Sequence, residues 1–403
     1  MTFLVLRDRT GLVQVTFFKK DASPSLRKTL TDLTPESFVT VTGKVNVSTQ
    51  VKMNGVELIL QTISVEGVSL PELPISDTSQ QNDLLNWRFL SLRRKENLLI
   101  FQVQTTIEHA MRKFWEKHEF IEIHSPKLMG TASESGAELF ELPYFGKTAY
   151  LAQSPQFYKQ MAIAAGFEKV FEIGPVFRAN SSHTNRHDTE FTSVDVEIGG
   201  INSHEDIMRF EEEWLAFVIN AVKEKHDEDI FEHYGVRIRV PETPFPRLTL
   251  KDARDILQRL GHVIEHKEDL DPEGERMIGK YIKEKYEHDF VFITDYPADI
   301  RAFYHMRHKN NSDLTMGFDL LGKGIEITTG AQREHRPNVL EQQALERGYD
   351  LSPLQDYIGF FKYGCPPHGG FGFGLTRLIM VLLELDNVRQ ATYIYRGPTR
   401  LTP

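Results

Sequence analysis

QSPQFYKQ (Gln153–Gln160) and VFEIGPVFRANSSHTNRHDTEFTSVDVE (Val170–Glu197) flank a short apolar helical spacer, and their reading decides the fold. Val170–Arg178 is rich in β-branched and aromatic residues and predicts a strand. Ala179–Thr189 is polar and predicts a loop, while Glu190–Ile198 alternates apolar with polar residues as a returning strand does. A long hairpin therefore lifts Arg178, Arg186 and His187 out of a sheet, with Lys159 on the helix just before it. Guanidinium groups make planar, two-pronged hydrogen bonds to phosphate oxygens, so this hairpin suits a polyphosphate. Taken one at a time, the same residues also suit an ordinary solvated surface hairpin.

Phe177–Glu197 reads FRAxxxxTxRHxTEFTxxDxE, which resembles motif 2 of the class II aminoacyl-tRNA synthetases. QSPQxYKQ before it resembles the aspartyl-tRNA synthetases in their archaeal/eukaryotic-like form, and the likeness extends over nearly the whole chain. It implies an α+β architecture: an N-terminal OB-fold barrel over residues 1–68, a linker over 69–95, and a class II antiparallel-sheet catalytic domain with flanking helices over 96–403.

Composition sets bounds on this reading. A length of 403 residues suits two or three domains, and 40% hydrophobic content suffices for real cores. No run of eighteen apolar residues occurs, so no transmembrane span and no membrane partner are expected. MTFLVLRDRTG lacks the basic, apolar and small-residue segments of a signal peptide. The one cysteine, Cys365, excludes an intrachain disulfide and a Cys-based zinc cluster, and a reducing cytoplasm fits. A formal net charge of −10 disfavours non-specific nucleic-acid binding, so a tRNA partner has to meet local basic patches.

Residues 1–68 hold short β-type runs at Phe3–Leu6, Leu12–Phe17, Phe38–Val45 and Val56–Val65, a spacing that suggests a small barrel. With eight Lys/Arg against six Asp/Glu, this stretch is mildly basic in an acidic chain. FxxLRDxxGxxQ (Phe3–Gln14) resembles the family's anticodon-binding domain, which implies that Phe3 stacks on the middle anticodon base and Gln14 reads its edge. On spacing alone Phe3 reads equally as a core residue of a strand. The family's barrel has another strand and turn before this point, so a barrel short of its first strand is expected.

Further on, Leu98–Lys117 has helical apolar spacing, and FIEIHSPKLMG (Phe120–Gly130) reads as a strand ending at Pro126. This order resembles motif 1, which implies a homodimer; without the family it is a core helix and strand. In the polar loop Gly130–Leu142 the resemblance assigns Glu134 to the α-ammonium of the amino acid. Residues 201–290 read as helical and charged, with charge runs such as Lys223–Asp229 marking solvated faces.

A second informative block is FDLLGKGIEITTGAQREH (Phe318–His335). Asp319, Glu326 and Thr329 offer oxygen ligands of the kind that suit Mg2+. Glu326 and Thr329 lie an odd number of residues apart, so a regular strand would point them to opposite faces, and a bulge or indirect coordination is needed. The family pattern supports all three positions and aligns Arg333 with the arginine that binds the substrate's side-chain carboxylate. Finally, GFGFGLTR (Gly370–Arg377) resembles motif 3 and opens an apolar helix with Arg377 at its start.

The resemblance implies aspartate activation by ATP, then transfer to tRNA(Asp), with tRNA(Asn) left open as a second acceptor. It places Arg178 and Arg377 in catalysis and Arg178, Asn180, Arg186, His187, Phe191, Glu326 and Arg377 around ATP. Ser154, Gln156, Lys159, Asp195 and Arg333 then surround aspartate, with Lys159 and Arg333 putting two positive charges where its side-chain carboxylate sits. A neutral amide there would leave buried cations unpaired, a loss of several kcal/mol. Members normally read FRAE or FRDE where this chain has Phe177-Arg178-Ala179-Asn180, which loses the charge that helps hold the adenine amino group. The tail TYIYRGPTRLTP departs from the usual FPRD element and keeps RLTP. Two other readings stay open: a tRNA-independent paralogue making asparagine from aspartyl-adenylate and ammonia, and a catalytically weak RNA-binding or regulatory protein.

Overall fold

The chain divides into two units, Met1–Asp83 and Leu84–Pro403. A computed structural model describes all residues except Met1, Lys19, Asp21, Ala22, Asn54, 132–137, 182–183 and 266–267.

Among the described residues the first unit has a four-stranded sheet and one helix. The strands Thr2–Asp8 and Gly11–Phe17 form an antiparallel hairpin. The Asp8 carboxylate closes its turn by accepting from the amides of Thr10 (2.7 Å) and Gly11 (3.2 Å). The strand Val56–Gly67 lies between Gly11–Phe17, to which it is parallel, and Phe38–Val47, to which it is antiparallel. The helix Pro24–Asp32 starts cleanly because Ser23 caps its amides and Pro24 needs no hydrogen bond in the first turn. Val15, Phe17 and Leu60 form a small core, with Leu4, Leu6, Leu26 and Leu30 packed on it.

An eight-stranded sheet organises the second unit. Its order is Arg247–Thr249, Phe290–Thr294, Gly317–Gly322, Ile325–Gln332, His368–Gly374, Glu190–Gly199, Lys169–Phe177, Ile121–Glu122. The pairing is antiparallel except at the two ends. The helices Lys95–Lys117 and His204–Tyr234 bury Trp115 and Trp214 against it, the two rings stacked at 5.3 Å. Strand alternation then sorts the two central strands. Val194, Val196, Phe371 and Phe373 join this core, which leaves Ser193, Asp195, Glu197 and the glycines 370, 372 and 374 for the other face.

Local readings differ from the structure in three places. The 69–95 stretch contains the helices Gln81–Asn86 and Arg88–Ser91, and Arg88 is buried, donating to the carbonyls of Gln390, Thr392 and Tyr393. The strand expected to end at Pro126 is shorter: only Ile121–Glu122 joins the large sheet, and Leu128–Met129, beyond the proline, joins a separate three-stranded one. Pro126, between them, has no amide to give a ladder. Residues 201–290 are not helical throughout, since the strand Arg247–Thr249 lies among them, and Glu211, Glu212 and Glu275 are buried, while the charge run Lys223–Asp229 is mostly exposed.

Candidate active site

A cleft of about 350 Å³ opens over the glycine-lined face of the sheet. Its wall includes Ser154, Gln156, Arg178, Asn180, Arg186, His187, Phe191, Asp195, Glu326, Thr329, Arg333 and Arg377. The structure therefore gathers residues from four separated stretches into one concavity.

The hairpin forms the first wall. Its base is held by the Arg178 amide donating to the Thr189 carbonyl at 2.9 Å, and the Arg178 guanidinium lies 5.6 Å from the centre of the Phe191 ring. Arg186 is anchored outside the hairpin, with Nη1 on Glu275 Oε2 at 2.7 Å and Nη2 donating to the Gly324 carbonyl at 3.2 Å. Arg377 Nη1 donates to the Glu326 carbonyl at 2.8 Å and reaches its Oε1 at 3.3 Å. Burial and the Glu326 charge raise the Glu275 carboxyl to about 7, against the pull of Arg186. Burial and the neighbouring Arg377 hold the His187 imidazole below its usual value.

The floor is a buried set of four charges, of which Asp195 and Arg333 line the cleft while Lys159 and Glu197 do not. Lys159, on the helix Gln156–Ala164, donates to Asp195 Oδ1 at 2.9 Å and to the Phe371 carbonyl at 3.0 Å, with Glu197 Oε2 3.5 Å away. Arg333 donates from Nε to Glu197 Oε1 at 3.1 Å and from Nη2 to the Gly370 carbonyl at 2.9 Å. Glycine at 370 is required for this approach, because a Cβ there would lie 2.0 Å from the Val196 carbonyl oxygen and 2.5 Å from Glu197 Oε2. Lys159 and Arg333 are thus not two unpaired positive charges. Each has a carboxylate, and the four formal charges cancel, as low-dielectric surroundings demand. Ser154 Oγ accepts from the Gln156 amide at 3.1 Å, and Gln156 Nε2 donates to Gln160 at 2.8 Å. Glu134 lies outside the described residues.

Of the three oxygen-bearing side chains in the second sequence block, Glu326 and Thr329 line the cleft and Asp319 is buried. The register between Gly317–Gly322 and Ile325–Gln332 shifts, with Leu320 opposite Thr328 and Leu321 opposite Glu326, so Ile327 is an extra residue. This bulge brings Glu326 and Thr329 to one side, where Thr329 Oγ1 donates to Glu326 Oε1 at 3.3 Å. Asp319 pairs with Thr329 in the ladder and accepts from Arg301 through Oδ2, while its buried Oδ1 has no hydrogen-bond partner among the described residues. Burial pushes the Asp319 carboxyl up to about 7, with Glu326 and Asp269 adding to the rise and Arg301 opposing it. Among the described residues no three His, Cys, Asp or Glu side chains form a ready-made metal cluster. A bare carboxylate oxygen beside Glu326 fits a hard cation that takes one or two protein carboxylates and fills its shell from phosphates and water.

Several cleft residues were not foreseen. Arg301, Tyr304 and His305 lie in an irregular segment that carries no periodic signal, and Arg301 sits 3.5 Å from the Tyr296 ring centre. Glu197 could have been found, since it ends the motif 2 pattern two residues after Asp195 and so shares its face. In the first unit, Phe3 is 55% exposed. Gln14 Nε2 donates to Glu57 at 3.1 Å, within a cross-strand row that runs Val5, Gln14, Glu57, Asn46.

Comparison with known proteins places the fold in a family. Residues 80–394 match the family described as tRNA synthetases class II (D, K and N), and residues 1–66 match the OB-fold nucleic acid binding domain. The chain is 40% identical to the aspartate–tRNA(Asp/Asn) ligase of Aeropyrum pernix over 100% of its own length and 92% of the relative's. The same identity and coverage relate it to the aspartate–tRNA(Asp) ligase of Thermococcus kodakarensis. The asparaginyl-tRNA synthetase of Pyrococcus horikoshii, solved with asparaginyl-adenylate, superposes with a TM-score of 0.93 at 34% identity, covering 100% of this chain and 92% of that one. With a matched family spanning most of its length and full-length relatives at this identity, the chain belongs to the class II tRNA synthetases of the D, K and N group.

Proposed function

We propose that the protein is an aspartate–tRNA ligase. It activates L-aspartate with ATP and passes the aspartyl group to the 3′-terminal adenosine of tRNA(Asp), with tRNA(Asn) as a candidate second acceptor. The observation that carries this reading is the juxtaposition of Arg333 and its buried partners with Arg178, Phe191 and Arg377 around one cleft. The names of the 40% identical relatives support it, and they include both tRNA(Asp) and tRNA(Asp/Asn) ligases.

In the first step an oxygen of the aspartate α-carboxylate attacks the α-phosphorus of ATP. A carboxyl–phosphate bond forms, the bond to the bridging oxygen breaks, and pyrophosphate leaves with the electron pair. The protein's contribution is placement and charge stabilisation. Arg178 faces the α-phosphate and the attacking carboxylate. Arg186, His187 and Arg377 take the outer phosphates, the two arginines exchanging Glu275 and Glu326 for phosphate oxygens. Phe191 supplies a stacking face for adenine, and Arg377 covers the other side. Asn180 stands where the family carries a carboxylate and offers only an amide oxygen. Asp319 and Glu326, with the Thr329 hydroxyl, would hold Mg2+, which when bound neutralises charge on the phosphate oxygens. Glu134 and Asp195 receive the α-ammonium side, helped by Ser154 and Gln156, while Arg333 backed by Lys159 meets the side-chain carboxylate. In the second step a ribose hydroxyl of the terminal adenosine attacks the activated carbonyl, and AMP departs.

Phe3 and Gln14 read the anticodon in this scheme, and stacking on an aromatic is worth roughly 1–3 kcal/mol per base. A homodimer through the motif 1 region is supported by Ile121 and Leu128, 45% and 48% exposed on short strands. Among the described residues no helix is long and apolar enough to cross a membrane. A cytoplasmic location is supported by the lone cysteine. The test is aspartate-dependent ATP–pyrophosphate exchange followed by charging of purified tRNA(Asp) and tRNA(Asn). Exchange without charging of either tRNA would overturn the ligase reading.

A further inference from the structure

His305 is 4% exposed, borders the cleft, and is absent from every role assigned above. Its backbone and that of Arg333 form an antiparallel bridge, which sets the two side chains side by side. His305 Nε2 lies 3.4 Å from Arg333 Nη1, the one terminal nitrogen of that guanidinium not given to the Gly370 carbonyl. Since guanidinium only donates, Nε2 is the acceptor, and the ring is the neutral tautomer with its proton on Nδ1. That nitrogen has no partner among the described residues and faces Gly317, where a Cβ would stand 3.1 Å away.

We infer that His305 is a positioning residue for amino-acid selection: it orients Arg333 Nη1 toward the substrate's side-chain carboxylate without adding negative charge. The inference rests on the reading of Arg333 given above. Lys159 and Arg333 are already balanced by Asp195 and Glu197. A further carboxylate against Arg333 would give the floor a net negative charge and repel an incoming acidic side chain. A neutral acceptor fixes the guanidinium and leaves its charge for the ligand. The surroundings keep the ring neutral, since burial acts with Arg333, Arg301, Arg347 and Lys159 to disfavour the imidazolium, and the Tyr304 ring beside it adds no charge.

The test measures KM for aspartate and for ATP by pyrophosphate exchange in the full chain, with His305→Leu, His305→Gln and His305→Glu. The leucine variant should raise KM for aspartate about tenfold, the loss expected for one charge-assisted hydrogen bond. Its kcat and its KM for ATP should stay within about twofold of wild type. Glutamine, a neutral acceptor, should restore KM for aspartate, and glutamate should raise it beyond leucine. If the leucine variant fails to fold, the ordering of glutamate above glutamine decides alone. Unchanged KM in the leucine variant, glutamine no better than leucine, or glutamate equal to wild type overturns the inference. So does a step in the wild-type KM for aspartate between pH 6 and 8 that glutamine removes. Arg333→Gln separates the two levels. If it leaves KM for aspartate unchanged, the assignment of Arg333 fails. If it raises KM while the leucine variant does not, only the role of His305 falls.

Discussion

Lys159 and Arg333 approach the two oxygens of a single buried carboxylate, Glu197, at 3.5 and 3.1 Å. The cation expected from the hairpin's preceding helix and the one expected from the second sequence block are thus held by an anion from the hairpin itself. Removing one member of a buried ion set strands the others and costs about 3–5 kcal/mol. Glu197→Gln should therefore lower stability to denaturant by an amount in that range and raise KM for aspartate at least tenfold. Denaturant titration together with pyrophosphate exchange checks both; a variant as stable as wild type would mean the set is not coupled.

Gly370 is the steric counterpart of this arrangement. An added methyl would meet the Val196 carbonyl and Glu197 at distances no real Cβ adopts, and two of the three nearest atoms, the Val196 carbonyl oxygen and Glu197 Cα, are backbone. Gly370→Ala should destabilise by roughly 1–3 kcal/mol, the usual cost of overpacking. Gly372→Ala, whose nearest neighbour is 3.4 Å away at Asp195 Oδ1, should cost less. Melting temperatures of the two variants, compared directly, test the ordering.

Asp319 should govern the response to divalent cation. Its Oδ1 is buried with no hydrogen-bond partner among the described residues, and Oδ2 holds Arg301. Asp319→Asn keeps an oxygen for Arg301 and removes the charge a cation needs, so half-saturating Mg2+ in pyrophosphate exchange should rise about tenfold or more. An unchanged Mg2+ dependence would remove Asp319 from the metal site.

Glu211 gives a pH prediction outside the cleft. It is buried under the Ile325–Gln332 strand, accepts from Thr328 Oγ1 at 2.6 Å, and burial raises its carboxyl to about 8. The folded state then binds a proton that the unfolded chain has lost above about 4.5. Its stabilising contribution is complete below that value and fades as pH rises to about 8, by at most about 1.4 kcal/mol per pH unit. Glu211→Gln has no such proton to lose. Its stability relative to wild type should increase from pH 5 to pH 8 and level off above; parallel curves would show that Glu211 titrates normally.

The sequence by itself determined whatever is local or periodic. Alternation marked Glu190–Ile198 as a strand, polar content marked the loop that carries Arg186 and His187, and the motif resemblance named most of the cleft wall, whereas the strand His368–Gly374 that sets glycines 370, 372 and 374 beside it was not legible. An odd spacing even demanded a distortion between Glu326 and Thr329, and the register shift at Ile327 supplies it. Only the tertiary structure decided how the charges pair. Glu275 reaches Arg186 across 89 positions, Glu197 reaches Arg333 across 136, and Arg301 reaches Asp319 from an irregular segment. Pairing in a low-dielectric interior depends on distance in space and on what else is buried there, and neither is written in the order of neighbouring residues.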